Sequence, residues 1–365
     1  MTKSRGGEVN RKKLLTLLGG VCLALVLTIL LLPGCAQEEA PAPGTETEKP
    51  AQTMEWGMTN FGSPATFWYD THVNLGNMIT EMSDGRITFK HYAGDVLYPV
   101  DKALENTGLG VTEMAGSSAQ YFVGVEPAFG LSFMPGSVLS MDGELYFQDL
   151  PEYKEIWQGL YNKYNCQWVG PWWVGARTNM LSKKPINKLD DFKGVTFRST
   201  GTTANLLSKY GAKVVDVSGP EIYTALATGT VDAFEYGSYA LDWSMSFQEV
   251  TKYMIEPTIQ EGWGHCDYFV NMDAWNKLPA DLQSIIKGAV GAHLLPEQLG
   301  QMRLNDEARQ NFIDYGLQVC TLPPEDVLRA YKIAGALWDE LATKDAVSAQ
   351  LVNMYKQICK LYGLE

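Results

Sequence analysis

Positive charge is scarce in this chain: 29 Lys and Arg stand against 42 Asp and Glu, a formal net charge of −13 over 365 residues. Residues 1–35 hold Lys3, Arg5, Arg11, Lys12 and Lys13 but only one acid, Glu8, so the remainder carries 24 basic against 41 acidic side chains. Phosphate binding needs clustered Lys and Arg, so a surface this acidic argues strongly against nucleic acid as a partner. Histidine is rarer still. His72, His91, His265 and His293 are the whole complement, and none is spaced for a metal or a triad. No G-x-S-x-G, H-E-x-x-H or P-loop pattern occurs, which leaves hydrolase and nucleotide chemistry without a motif. Beyond residue 36 there are four cysteines, Cys166, Cys266, Cys320 and Cys359, none in a C-x-x-C spacing, so disulfides and buried free thiols both stay open. After residue 53 there is no internal repeat and no low-complexity tract.

What is present begins with one long apolar run, "LLTLLGGVCLALVLTILLL" (14–32), behind a basic segment and ahead of "PGCAQEEAPAPG". An apolar run ending in a small residue and Cys resembles a bacterial lipoprotein signal, in which Cys35 is lipidated and becomes the new N-terminus. Pro33 departs from the usual small or aliphatic residue, and the competing reading is an uncleaved membrane anchor. Both put the rest of the chain outside the cytoplasm. Residues 36–53 are rich in Pro, Glu, Thr and Ala without apolar periodicity, which reads as a flexible tether.

From residue 54, strand and helix patterns alternate. "MEWGMT" reads as a strand, 65–85 as a helix, "RITFKHY" as a strand, and "VTEMAGSS" as a short strand running into a loop. The alternation restarts after "PWWVG" with "GVTFRST", "TTANLLSKYG", "AKVVDV", "SGPEIYTALATG" and "TVDAFEYG". In "SGPEIYTALATG", Ser218 is the expected N-cap, Pro220 sits in the first turn and Glu221 closes an S-x-x-E box. Such alternation predicts mostly parallel sheets with flanking helices. From about 279 the chain reads as nearly all helix, with Pro296 expected to kink or restart one of them. The expected plan is therefore α/β: a two-lobe, periplasmic-binding-protein-like fold with a ligand cleft between the lobes and C-terminal helices. Residues 54–172 and 262–301 are assigned to lobe I, and 173–261 and 302–365 to lobe II.

Several stretches are more specific. "HYAGDVLYPVDKALENTGLGVTEMA", "LSKKPINKLDDFKGVTFRSTG", "GAKVVDVSGPEIYTALATGTVDAFEY" and "YFVNMDAWNKLPADLQSIIKGAV" resemble, in the same order, segments of TRAP-type solute-binding proteins, the DctP-like family. The resemblance covers nearly all of 54–365. It implies a receptor, not an enzyme, that captures a small organic acid and passes it to a TRAP membrane permease. It also implies that Arg198 holds the ligand carboxylate, which suits a planar fork of parallel N–H donors. Glu235 and Tyr236 fall where the family places ligand contacts, in feel closest to the branch that binds 2-oxo or hydroxy acids. In that branch a metal ion bridges ligand and protein. Glu261 matches one of the metal's carboxylates, but Arg177 stands where a Gln ligand would be. An Arg cannot ligate a metal, so no metal or cofactor is expected: the Arg177 guanidinium replaces the ion's charge, neutralising Glu235 or Glu261 or gripping a second carboxylate, and a metal bridging the ligand and Glu235/Glu261 is the competing reading. Trp68, Trp172, Tyr239 and Trp263 are further candidates for the cleft wall, and Ser118 for a polar contact; core packing is the competing reading for each aromatic. Read without the resemblance, Glu235 and Glu261 could be a glycosidase pair, and the aromatics could stack on sugar in an ABC-type binding lipoprotein. A ligand-sensing subunit would share the same fold and site.

Overall fold

The computed structural model describes residues 53–364 apart from 65, 138 and 173–178, and the backbone but not the side chains of 261–263. The expected signal segment with Cys35, nearly all of the tether, and Arg177 lie outside the described residues, as do the side chains of Glu261 and Trp263.

The first alternating units run β1 (Met54–Asn60), α1 (Phe67–Met82), β2 (Ile87–Ala93), α2 (Ala103–Gly108) and β3 (Met114–Ser117). Helix α1 starts where Thr66 accepts a hydrogen bond from the Tyr69 amide, and it buries Trp68, His72, Leu75 and Ile79 along one stripe. Then follow β4 (Phe133–Pro135), α3 (Met141–Asp149), α4 (Pro151–Asn162) and β5 (Cys166–Trp172). The second set is β6 (Met180–Ser182), β7 (Thr196–Arg198), α5 (Gly201–Lys209), β8 (Lys213–Val215), α6 (Ile222–Thr228), β9 (Ala233–Glu235), α7 (Tyr239–Ser244) and β10 (Tyr253–Glu256). The chain continues through β11 (Glu261–Gly264), β12 (Cys266–Asn271), α8 (Met272–Asn276), α9 (Ala280–Tyr315), β13 (Gln318–Thr321), α10 (Pro324–Ala342) and α11 (Ala346–Leu361).

One sheet has the order β2-β1-β3-β12-β5, the other β13-β10-β6-β9-β7-β8, and β4 pairs with β11 in a small ribbon. Both large sheets are mixed: three of five strand pairs are parallel in the six-stranded sheet and two of four in the other. Consecutive units do lie parallel: β2, β1 and β3 in one sheet, β8, β7 and β9 in the other. The exceptions come from the crossings between sheets. Strand β6 enters the second sheet antiparallel to β9 and β10, and β12 returns to the first antiparallel to β3 and β5.

Two expectations are modified. Helix α9 runs unbroken through Pro296, so the proline does not restart it. The hydrogen bond Pro296 cannot make would end on the carbonyl of Ala292, and both residues are exposed, so water can serve that carbonyl. Ser218 caps only a short 3-10 turn before α6, and its hydroxyl donates to the Glu221 carboxylate at 2.7 Å instead of accepting from the backbone. Residues 302–365, grouped with lobe II on sequence grounds, also reach lobe I: Trp338 of α10 donates to the Pro135 carbonyl, and Tyr355 of α11 donates to Glu144 of α3. All four described cysteines are buried free thiols.

Candidate functional site

In a parallel sheet the ligand side is the carboxyl end of the strands. Here the carboxyl ends of both sheets' parallel strands open onto one cleft. Arg198 is the last residue of β7, held in register between Val215 of β8 and Phe234 of β9. Glu235 ends β9 next to it. On the other side, Phe61 follows β1, Trp68 sits in the first turn of α1, and Ser118 follows β3. These side chains line a cavity of about 800 Å³.

Arg198 is 3% exposed, yet its fork is only partly used. Nε donates to the Val217 carbonyl at 2.9 Å and Nη1 to the Glu235 carbonyl at 2.7 Å. Those two bonds lock the plane of the guanidinium. No hydrogen bond within the described residues engages Nη2. The ring of Tyr236 packs on the guanidinium, 5.1 Å from its carbon, and so adds a cation–π contact.

The Glu235 carboxylate accepts from Ser199 Oγ at 2.7 Å and stands 3.7 Å from Arg198 Nη1. Burial pushes its carboxyl above the usual range, against the pull of Arg198, Ser199 and the Thr200 amide. Asp242 on α7 is fully buried and accepts from Asn179 at 2.7 Å, while its Oδ1 has no partner among the described residues. Burial pushes Asp242 well up, with the nearby Glu235 adding to the shift. Burial likewise pushes the Tyr236 phenol to about 12. The site thus pairs one permanent cation with two acids whose surroundings favour the neutral form.

Of the residues singled out from the sequence, Arg198, Glu235, Tyr236, Trp68 and Ser118 line this cavity together. Trp172 and Tyr239 lie elsewhere. Trp172 packs against His72 and Tyr268 in the first lobe's core, and Tyr239 donates to Glu256 and packs on Phe312. Wall residues that the sequence did not single out include Phe61, Tyr121, Phe133 and Thr200. Phe61 could have been found from its place one residue past the first strand. Among the described residues no group of three or more His, Cys, Asp or Glu is placed to hold a metal ion.

Two sheets facing one cleft, each presenting its strand ends, with a locked guanidinium whose Nη2 meets no hydrogen-bond partner among the described residues, define a two-lobed solute receptor. The model of the family described as bacterial extracellular solute-binding protein, family 7 (DctP) matches residues 58–345. The chain belongs to this family, whose members bind solutes and are not enzymes. It is 27% identical over 317 residues to the monocarboxylate 2-oxoacid-binding periplasmic protein of Nostoc sp. PCC 7120, covering 84% of each chain. A TRAP transporter solute-binding protein from Bordetella bronchiseptica RB50, solved with calcium and picolinate, superposes with a TM-score of 0.77 at 24% identity, over 86% of this chain and 93% of that one. One from Pseudoalteromonas atlantica T6c, with sodium and pyruvate, gives 0.77 at 23% identity, over 85% and 95%. Among the described residues no helix is long and apolar enough to cross a membrane.

Proposed function

We propose that this protein is the lipid-anchored receptor of a TRAP transporter, which captures a small organic acid through an Arg198–carboxylate salt bridge and delivers it to the membrane permease. The observation that carries the reading is the state of Arg198. It is buried and fixed by two backbone carbonyls, yet keeps Nη2 free of hydrogen bonds to the described residues at the floor of a cavity. A ligand carboxylate accepting from Nη1 and Nη2 would complete the fork in the bidentate geometry that Arg favours. The 2-oxoacid named for the Nostoc relative and the pyruvate in the Pseudoalteromonas structure are ligands of that chemistry. Closure of the two lobes would exclude water from the pair and strengthen it. Cys35, outside the described residues, is the proposed lipid attachment point; its substitution by Ser should release the protein from membranes.

A thermal-shift screen against organic acids, with and without calcium or EDTA, tests the binding role. An acid at 100-fold its dissociation constant should stabilise the protein by about 2.7 kcal/mol. The shift should vanish in Arg198→Ala; acids that act equally on that variant would refute the assignment. Arg177, also outside the described residues, is proposed to supply the charge that a metal ion supplies in some relatives. Arg177→Gln should then make binding calcium-dependent, and an unchanged response to EDTA would dismiss that role.

A further inference from the structure

The wall facing Arg198 carries more aromatic surface than a short-chain acid can use. Phe61 and Trp68 have ring centroids 5.1 Å apart, Phe61 and Tyr121 5.9 Å, and Trp68 meets the Tyr236 ring edge-on at 6.0 Å across the cleft. Tyr236 therefore touches both halves of the site: one face on the Arg198 guanidinium, one edge on Trp68. Its position depends on the absence of a side chain opposite. A Cβ built on Gly219 would lie 2.2 Å from Tyr236 Oη, so any residue but glycine there must push the ring away. The cavity, at about 800 Å³, sits in the upper part of the range of roughly 300–1,000 Å³ that accommodates drug-sized ligands.

Charge narrows the choice further. Among the described residues that line the cavity, Arg198 is the only cationic one, whereas Asp95, Asp101, Asp216 and Glu235 are acids. Asp95, Asp101 and Asp216 are exposed, and a second ligand carboxylate there would meet their negative charge without a compensating cation among the described wall residues. The described wall remote from Arg198 therefore favours a ligand end without negative charge, and the surface it offers is aromatic.

We infer that the preferred ligand is an aryl-bearing monocarboxylate, a flat ring carried a short chain away from the acid group, and that Tyr236, seated against Gly219, sets the preference for the ring. This rests on the reading of Arg198 as the carboxylate anchor. A ring packed against the cavity faces of Trp68 and Tyr236 gains offset or edge-on contacts that an aliphatic chain does not.

Calorimetric titration of the full chain in detergent with pyruvate, phenylpyruvate and 2-oxoglutarate tests it, since the three share a 2-oxo acid head. Phenylpyruvate should bind at least about tenfold tighter than either of the others. Gly219→Ala and Tyr236→Leu should each reduce the phenylpyruvate-to-pyruvate affinity ratio towards unity, with unliganded melting curves confirming that both variants fold. Pyruvate or 2-oxoglutarate binding as tightly as phenylpyruvate overturns this inference alone and leaves the carboxylate receptor intact. A ratio unchanged in two folded variants removes Tyr236 from the preference. Failure of all three acids to bind overturns both the inference and the reading beneath it.

Discussion

Each lobe buries a charged cluster within its sheet, and the two are finished differently. In the first lobe, Asp267 on β12 is fully buried, and its carboxylate accepts from Trp168 Nε1 at 2.8 Å, Trp157 Nε1 at 3.0 Å and Tyr161 Oη at 2.8 Å. His265 Nδ1 lies 3.0 Å from the same group without hydrogen-bond alignment, and its other ring nitrogen meets Tyr153. In the second lobe, Arg198, Glu235 and Asp242 are as deeply buried but incomplete: part of the Arg198 fork is free, and Asp242 Oδ1 has no partner among the described residues. Burial of an unpaired polar group costs free energy, so a fold tolerates it where something else completes the set. The Asp267 carboxylate, with a donor on each oxygen, holds a lobe together. The incomplete cluster is where the proposed ligand carboxylate would supply the missing partner.

That contrast can be broken by substitution. Asp267→Ala strands three buried donors at roughly 1 kcal/mol or more each, so a loss of about 3 kcal/mol or more is expected in urea unfolding, with ligand affinity of the folded fraction kept. Lost binding at unchanged stability would erase the distinction between the clusters. Arg198→Ala should weigh mainly on binding, which weakens by about 2–5 kcal/mol, roughly 30-fold to several thousand-fold, while the two carbonyls it strands cost less stability than Asp267→Ala does. A smaller effect separates the acids. Asp242 is held protonated above its ordinary value of 3.8, so its contribution to stability is complete below that value and is lost as pH rises towards the folded-state value. Asp242→Asn should therefore gain on the wild type at pH 8 and not near pH 4, measured by melting at both. A constant difference would mean that Asp242 is not neutral in the fold. The smallest effect lies in the first lobe. Burial, with His91 and His293 adding, pushes His72 well below 6.5, so stability is whole above that pH and declines as pH falls. His72→Gln should flatten part of that decline, seen in melting temperatures between pH 7 and pH 5.

The legible parts of the fold were those with local signals. Strand β7 shows as "GVTF" between glycines, α5 stops before Gly211, and α1 reads from its apolar spacing, because propensity, capping and periodicity act within a few residues. Arg198 was legible for the same reason, since a charged residue ending a strand and preceding a helix is a local fact with a known geometric meaning. Trp172 and Tyr239 show the limit. Both stand near site residues in sequence and both belong to packed cores, because a strand or helix turns neighbouring side chains to different faces. Phe61 and Tyr121 show the converse: they reach the site only because β1 and β3 end at the same edge of one sheet.

The sequence by itself determined the alternation of strands and helices, the acidic surface, the placing of Arg198 at a strand end, and membership of a solute-binding family, since each rests on short-range pattern or on resemblance along the chain. Only the tertiary structure decided that both sheets are mixed, that α9 runs straight through Pro296, that Asp242 sits buried beside Glu235, and that Tyr236 bridges Arg198 and Trp68 above Gly219. The physical reason is common to all four. Strand direction, solvent at one carbonyl, desolvation of a carboxyl and room for a ring depend on which distant segments come to lie together, and no local stretch of chain encodes that.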